Sequence, residues 1–541
     1  MLVGEIACAP AGGADEAGAA EAHSIGRRRC ALLAVAVLAG TALSGGVPAA
    51  AAAPRPSTAA VETYLEQIRD EPGRLEAFLT ELPKGADLHT HLSGAVPTGR
   101  LLEWAIDDRL CVDERMVAVA PPCRSGARPA ADARTDRAFR DRIIAAWSMK
   151  GHSERSGESG HDHFFATFAK FGAASENKPR MLAAIASQAA AEHTSYLEPL
   201  ISRQSEAIKK LAATVTWSED LAAMTRQITA KPEFDRIVAA ADAETDADLA
   251  RTRELLGCDT ARPDPGCAVD IRIDHQVARI GEPARVLTNL LVGFALAERN
   301  PRVVGVNLVQ PEDDPKAISE YGRQMRMIAH LRRSYRTARV SLHAGELTPQ
   351  FAGPAALRSH IRQAVLVARA DRIGHGVDIA GEDDSTDTLR TMAARNTLVE
   401  INLTSNCQIL RVCGSRHPFA LYRRHSVPVA LSTDDQGIEH TDLSHEYARA
   451  LRDFDLTYAD LKTLARTSLE HAFLPGASLW RAVGEHRPVA ACAGQVPGTD
   501  RPGGACAAFL RASDKARVQW QHESDLRRFE QRYTASPAPS R

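Results

Sequence analysis

The sequence is short of aromatic side chains, of net charge and of long apolar runs. Only 5% of its 541 residues are aromatic, and 66 basic residues nearly balance 68 acidic ones, so the formal net charge is −2. This balance excludes a polybasic nucleic-acid binder and an acidic tail protein. No apolar run reaches the roughly 18 residues of a membrane-spanning helix, which excludes a multi-pass membrane protein. With 44% apolar residues, the chain has enough material for a sizeable core.

The longest apolar run lies near the start and has the features of an export signal. Arg27–Arg29 precede the apolar stretch 31–43, and small residues follow it up to Ala53. A basic region, an apolar region and an Ala-rich cleavage zone are typical of a secretory signal peptide. We therefore predict an export signal over residues 1–53 and a periplasmic or secreted product. The alternative is a short membrane anchor, for which the run is too short, and the arginines leave a twin-arginine signal open.

The cysteine pattern agrees with export. Of ten cysteines, Cys8 and Cys30 fall in the predicted signal, and the other eight form four close pairs along the chain. The pairs are Cys111/Cys123, Cys258/Cys267, Cys407/Cys413 and Cys492/Cys506. None has the C-x-x-C spacing of a zinc ribbon or redox site, so we predict local disulfides formed in an oxidising compartment. Free buried thiols in a cytosolic protein are the alternative.

Eight short β-prone runs alternate with Ala- and Leu-rich helical stretches. The runs are Ala86–Leu92, Ser195–Ile201, Val269–His275, Val303–Val309, Val340–His343, Arg372–His375, Thr397–Leu403 and Val427–Ser432. Strands that alternate with helices imply parallel pairing, and eight such units imply a closed (β/α)₈ barrel in the α/β class. Strand counting alone also allows a doubly wound open sheet.

Three segments of the chain lie outside the predicted barrel core. Residues 54–82 carry apolar side chains at helical spacing and are predicted to form an N-terminal helical segment. The barrel is predicted over residues 83–484, with a long insertion at 93–163 after its first strand. Residues 485–541 are predicted to form a C-terminal extension. Excursions as long as this insertion usually serve as lids, binding loops or partner surfaces.

Two histidines on the first predicted strand are the first sign of chemistry. His89 and His91 lie two positions apart. Side chains at i and i+2 on a strand face the same side, so both imidazoles can bind one metal ion. Such a pair alone is weak evidence for a metal site, because histidines at this spacing are more often structural.

Three later strand ends carry ionisable side chains. The fifth predicted strand ends at His343 with Glu346 three residues on, the sixth ends at His375, and the eighth is followed by Asp434 and Asp435. In a barrel, the carboxyl ends of all strands meet at one mouth. Three imidazoles and one carboxylate suit Zn²⁺, with a position left open for a water that ionises near neutral pH. The sequence therefore predicts metal-assisted hydrolysis.

Five motifs occur in an order that resembles one enzyme family. They are HTH at 89–91, SLHAGE at 341–346, RIGHG at 372–376, NLTSN at 402–406 and LSTDD at 431–435. Together they resemble the adenosine deaminase family of the amidohydrolase superfamily, over about residues 80–480. With the predicted signal and disulfides, the chain looks most like the secreted, growth-factor-type members. The resemblance implies a barrel with one zinc ion per chain and a small purine nucleoside as substrate, and it leaves an oligomer open.

The resemblance also assigns roles to the motif residues. The zinc ligands would be His89, His91, His343 and Asp434. Glu346 would protonate purine N1, His375 would orient the attacking hydroxide or accept its proton, and Asp435 would hydrogen-bond to N7. The implied reaction is hydrolytic deamination of adenosine or 2′-deoxyadenosine to inosine or deoxyinosine and ammonia, at a C–N bond of a cyclic amidine.

Departures from the family pattern concern the substrate. Cytosolic members carry an Asp that contacts the ribose 5′-hydroxyl where this chain has Ser93, and an acid and a Gly on the fourth strand where it has Asn307 and Gln310. We expect Ser93 to bind substrate through its uncharged hydroxyl and Gln310 through its backbone amide, with the Gln310 side chain crowding the pocket. Further candidates in the insertion are Trp147, His152, Glu154 and His161–His163. The alternative functions are an aminohydrolase for a modified adenine compound and an extracellular binding or signalling protein.

Overall fold

The computed structural model describes residues 58–153 and 157–534. The predicted export signal at 1–53 and Glu154 of the insertion lie outside these ranges. Within them, no helix combines the length and the apolar character that a membrane crossing needs.

Eight parallel strands form the centre of the molecule. They are β1 (Gly85–His91), β2 (Thr194–Ile201), β3 (Ile273–Ala278), β4 (Val303–Val309), β5 (Arg339–Ala344), β6 (Arg372–His375), β7 (Leu398–Ile401) and β8 (Val429–Leu431). Each strand pairs with the next along the chain, and a bridge between Thr90 and Asp434 joins the last strand to the first. In this bridge, His91 N donates to Asp434 O and Asp434 N donates to His89 O. The predicted (β/α)₈ barrel is confirmed, and an open sheet does not fit this pairing.

The third strand begins later than the sequence pattern indicates. The apolar alternation predicted Val269–His275, but the chain first pairs briefly with β2 at Asp270–Ile271 and then forms β3 over Ile273–Ala278. The end of β3 carries the polar residue Gln276, whose side chain lies within hydrogen-bond distance of His91 at the barrel mouth. Hydrophobic periodicity therefore missed the functional end of this strand.

Helices surround the barrel. Those between β2 and β8 are Ser205–Ala212, Leu221–Thr229, Pro232–Leu255, Pro283–Arg299, Pro315–Leu331, His360–Gln363, Ser385–Arg395, Leu403–Leu410 and Phe419–Arg424. Proline occupies the first turn of three of them, where its missing N–H has no helical partner to lose. The helix Pro283–Arg299 buries Leu287, Leu290 and Phe294 completely against the barrel. Burial of this apolar face is what holds a helix of this kind in place.

The insertion and the two ends of the described chain add further helices. Between β1 and β2 lie Leu92–Ala95, Thr98–Asp107, Arg137–Ala146, Gly160–Phe171 and Lys178–Ala191, with a small antiparallel sheet of Cys111–Val112, Ala118–Val119 and Arg128–Pro129. Before β1 lie Thr58–Ile68 and Pro72–Glu81, and after β8 lie Gln436–Glu439, Leu443–Phe454, Tyr458–His471, Gly504–Ala512 and Asp514–Thr534. The helices before β1 pack against the helices after β8, since the rings of Phe78 and Phe529 lie 5.2 Å apart, edge to face.

All four predicted cysteine pairs are disulfide-bonded. They are Cys111–Cys123, Cys258–Cys267, Cys407–Cys413 and Cys492–Cys506. Each closes a short loop of the chain, as the local pairing predicted.

Candidate active site

Four potential ligand atoms converge at the carboxyl ends of β1, β5 and β8. Nε2 of His343 lies 3.1 Å from Nε2 of His89 and 3.1 Å from Nε2 of His91. Oδ1 of Asp434 lies 3.4 and 3.3 Å from the same two His89 and His91 atoms. Ligands about 2.0–2.1 Å from a tetrahedral ion are separated from one another by roughly 3.3 Å. The four atoms therefore fit one ion of the size of Zn²⁺.

Each imidazole is held from behind by a side-chain oxygen. Nδ1 of His89 lies 2.7 Å from Oε2 of Glu400, Nδ1 of His91 lies 3.2 Å from Oε1 of Gln276, and Nδ1 of His343 lies 2.8 Å from Oδ1 of Asn307. Since these oxygens only accept hydrogen bonds, each Nδ1 carries a proton and each Nε2 faces the centre of the cluster. The three rings are thus oriented so that their Nε2 atoms could bind one metal ion.

Glu400 is a site residue that the sequence analysis missed. It lies on β7, accepts a hydrogen bond from Nε of Arg372 at 2.5 Å, and accepts another from the Ser341 hydroxyl. Burial raises the pKa of this carboxyl, but Arg372 and His89 outweigh it and hold the pKa below its ordinary value, so Glu400 stays ionised. A charged residue between Val399 and Ile401 in a buried strand was the available signal, because isolated buried charges are rare.

The two neighbouring aspartates after β8 are in opposite electrostatic states. Burial raises the pKa of Asp434, but its contacts with His89, His375 and His91 lower it well below the ordinary value, so Asp434 is ionised. Burial and the charge of Asp434 raise the pKa of Asp435 well above its ordinary value. Oδ1 of Asp435 is buried without a hydrogen-bond partner. A protonated, partly unpaired carboxyl is therefore available to a ligand.

Gly94 makes room for this second aspartate. A Cβ atom at Gly94 would lie 1.6 Å from Oδ1 of Asp435, so no larger residue fits beside the carboxyl. Ser93 precedes it, half-buried in the helix Leu92–Ala95. Ser93 therefore precedes Gly94, whose backbone lies against the Asp435 carboxyl.

A tight turn presents Glu346 beside the ligand cluster. Gly345 has φ +75°, and a Cβ there would lie 2.5 Å from a side-chain atom of Ile361. The N–H groups of Gly345 and Glu346 donate to the two carboxylate oxygens of Glu312, at 3.0 and 2.9 Å. The Glu346 side chain is only 9% exposed, and burial, Asp434 and Glu312 raise its pKa well above the ordinary value. Its carboxyl is therefore protonated.

A chain of hydrogen bonds determines which nitrogen of His375 carries the proton. The Phe419 N–H can only donate, and it donates to Nδ1 of His417 at 3.1 Å. Nε2 of His417 then donates to Oδ1 of Asn406, and Nδ2 of Asn406 donates to Nδ1 of His375 at 2.9 Å. Burial lowers the pKa of His375 to about 3, so the ring is neutral with its proton on Nε2. That atom faces Oδ2 of Asp434 at 3.9 Å.

Gln310 and the insertion candidates have other partners. Gln310 adopts φ +85°, a backbone region that favours glycine, and its Oε1 accepts from Ile280 N at 3.0 Å. Trp147 is completely buried and donates to Met116 O. Nε2 of His163 lies within hydrogen-bond distance of two carbonyl oxygens, those of residues 145 and 148. These contacts are structural and do not involve the ligand cluster.

His161 attaches the insertion to the loops that follow β4 and β5. Its Nε2 lies 3.1 Å from Oδ1 of Asp313, and its ring stacks on Phe351 at 4.5 Å. His152 stacks on His163 within the insertion itself. The insertion is therefore anchored at the mouth of the barrel, near the candidate active site.

Comparisons with known proteins agree with this arrangement. The family model described as Adenosine deaminase matches residues 255–481, which include His343, Glu346, His375 and Asp434. An adenosine deaminase of Serratia proteamaculans (strain 568) is 36% identical over 137 residues, and one of Escherichia coli (strain SMS-3-5 / SECEC) is 33% identical over 136. These matches cover 25% of this chain, and the chain spans 38% of the length of each relative.

A solved structure shares the fold. The structure of the ADAL–IMP complex is 21% identical, with a TM-score of 0.50, and the match covers 74% of this chain and 94% of that one. The solved structure shows the shared fold alone, and the family match over residues 255–481 and the two relatives support the adenosine deaminase family of the amidohydrolase superfamily for this chain.

Proposed function

We propose that this chain catalyses the hydrolytic deamination of adenosine or 2′-deoxyadenosine, with one zinc ion held by His89, His91, His343 and Asp434. The observation that carries the proposal is the convergence of these four ligand atoms beside the buried, protonated carboxyl of Glu346. When bound, zinc lowers the pKa of water to about 7 and so supplies a nucleophile at neutral pH. The products are inosine or deoxyinosine and ammonia.

The side chains beside the ligand cluster have the protonation states that this reaction needs. Glu346 holds a proton to give to purine N1, which makes C6 more electrophilic. Asp435 holds a proton with which to donate a hydrogen bond to N7, an acceptor. His375 directs its Nε2–H towards the centre, and this tautomer favours orientation of the attacking oxygen over acceptance of its proton. The same geometry would serve an aminohydrolase of a modified adenine compound.

The test of this function is a single assay with matched substrates. The purified full chain is given adenosine, 2′-deoxyadenosine, adenine, AMP and N6-methyladenosine, and release of ammonia, or of methylamine from the methylated analogue, is followed with the change in purine absorbance. We expect fastest release from the two nucleosides. No response to adenosine together with turnover of a methylated analogue or a nucleotide would replace our substrate by that compound. A stable complex without turnover of any of them would favour a binding protein.

The hydrogen-bond chain behind His375 makes a separate prediction. Asn406→Asp replaces the amide donor by an acceptor, so Nδ1 of His375 would take the proton and Nε2 would lose it. We expect kcat to fall by about 10–100-fold, the range seen for other residues that orient active-site histidines, with zinc content unchanged. The control is Asn177→Asp, an exposed helix N-cap at which Asp caps equally well. Equal kcat values for both variants would contradict the assigned tautomer.

We also propose that the chain is exported and that residues 1–53 are removed. Four disulfides support this, because such bonds form and persist in oxidising compartments. N-terminal sequencing of the protein recovered from the periplasm or medium should begin after residue 53. An intact N-terminus, or recovery from the cytosol alone, would contradict export.

A further inference from the structure

A cavity of about 670 Å³ lies at the end of the barrel opposite the candidate active site. Its lining includes the amino ends of four strands, marked by Val303 of β4, Arg339 of β5, Arg372 of β6 and Thr397 just before β7. The zinc-ligand candidates lie at the carboxyl ends of strands, so the two sites are on opposite faces of the barrel. Lys515 of the C-terminal extension lines the other side of the cavity.

The charged groups of this cavity are mostly cationic. The basic residues that line it are Arg332, Arg339, Arg369, Arg372, Arg395 and Lys515, and the acidic ones are Asp371 and Glu470. Asp371 is shared by two of the arginines, with Oδ2 at 2.9 Å from Arg332 and Oδ1 at 3.3 Å from Arg339. Oε2 of Glu470 accepts hydrogen bonds from two uncharged side chains at 2.6 Å each. Arg372 is paired with the buried Glu198 and Glu400, so the cations left without an ion pair among the described residues are Arg369, Arg395 and Lys515.

Three of the cations have no carboxylate partner within the ranges that the structure describes. Nη1 of Arg395 donates to Val365 O at 2.9 Å, and Nζ of Lys515 donates to Glu470 O at 2.7 Å, but both acceptors are uncharged carbonyls. Arg369 is exposed and forms no ion pair with a described carboxylate. Burial lowers the pKa of Lys515, and this effect, with that of Arg339 and Arg372, outweighs the opposite effect of Glu470 and Glu198.

An unpartnered polar atom also lies in the cavity lining. Nε2 of His471 is buried and has no hydrogen-bond partner, although buried polar groups nearly always have one. Burial, together with Lys515 and Arg372, lowers the pKa of His471 to about 3, so the ring is neutral. A ligand that reaches this nitrogen would satisfy it.

We propose that this cavity binds a phosphate or sulfate ester of a small organic molecule. The oxyanion would lie against the cations Arg369, Arg395 and Lys515, because guanidinium and ammonium groups form charge-assisted hydrogen bonds with such oxygens. The organic part would lie on the apolar wall formed by Val304 and Leu474. The volume falls within the range of roughly 300–1,000 Å³ found for small-molecule sites and exceeds what an inorganic ion fills.

Calorimetric titration of the zinc-loaded full chain tests this site. The probes are phenyl phosphate, phenyl sulfate, inorganic phosphate and uncharged phenol. We expect both esters to bind more tightly than inorganic phosphate and phenol to give no heat, with affinity falling as salt screens the charges. The two ester arms show whether phosphate or sulfate is preferred. No heat with either ester would contradict the proposal.

Variants separate this cavity from the zinc site, which also attracts anions. Arg369→Gln and Lys515→Met each remove one charge and should weaken ester binding about tenfold or more, the loss expected for one charged hydrogen bond. Arg369→Lys keeps the charge and should retain most of the affinity. Arg100→Gln, an exposed arginine outside the cavity, is the control. Unchanged affinity in both cavity variants, with thermal melting confirming that they fold, would place the anion elsewhere and overturn the inference.

Discussion

Removal of zinc with a strong chelator is expected to abolish ammonia release from adenosine, and added zinc is expected to restore it. The reason lies in the protein's own side chains, because none of them can replace the ion in activating water. His375 is neutral with its Nε2 already protonated, and Glu346 and Asp435 are protonated acids. The ionised Asp434 is engaged with His89 and His91. No free base of suitable strength remains at the site.

Metal analysis and thermal melting of the same sample check this prediction independently of catalysis. Zinc that binds only the folded chain raises its melting temperature as its concentration exceeds the dissociation constant. We expect His343→Ala to lose both zinc and activity, and Asp435→Asn to keep zinc and lose less activity. Full activity in a preparation shown to be free of metal would overturn the mechanism. Zinc binding without activity would support the proposed metal centre but contradict the proposed reaction.

Glu346→Gln is expected to lower kcat by on the order of 10²–10⁴-fold, the usual contribution of a general acid. Glutamine has almost the same size and keeps the N–H contacts of the turn with Glu312, so the local structure is preserved. It donates a hydrogen bond, but it has no acidic proton to transfer to N1. Zinc content should be unchanged, since Glu346 is not one of the four converging ligands.

The matched control is Glu103→Gln, an exposed glutamate paired only with Arg100 on the same helix. It should leave kcat, KM and zinc content unaltered. If Glu346→Gln retained the activity of the parent enzyme, the proton donor would have to be another group. If instead a biological effect of the protein survived the loss of turnover, an extracellular binding role would gain support.

The barrel and its ligand candidates were predictable because they depend on local patterns. Alternation of strands and helices implies parallel pairing, and parallel pairing brings all carboxyl ends to one mouth. His89 and His91 share a strand face by spacing alone, and His343 and Asp434 lie at other strand ends. These four residues therefore converge in the structure as the sequence led us to expect.

The residues that support the ligands were not predictable in this way. Glu400 lies 311 positions from the imidazole that it holds, and Gln276 lies at a strand end where the apolar pattern had already stopped. His417 acts on His375 only through the side chain of Asn406. Nothing in the sequence indicated that the Gln310 side chain accepts a hydrogen bond from Ile280 N, and substrate binding by Gln310 stays a prediction.

The sequence by itself determined which groups stand at the barrel mouth and in what order, because strand periodicity and parallel connection are local properties of the chain. The tertiary structure alone decided where the protons lie on the imidazoles, which buried acids are ionised, and that a cationic cavity exists at the opposite end. Those properties depend on burial and on distances of a few ångströms between residues far apart in sequence, since both the pKa and hydrogen-bond direction respond to the immediate surroundings.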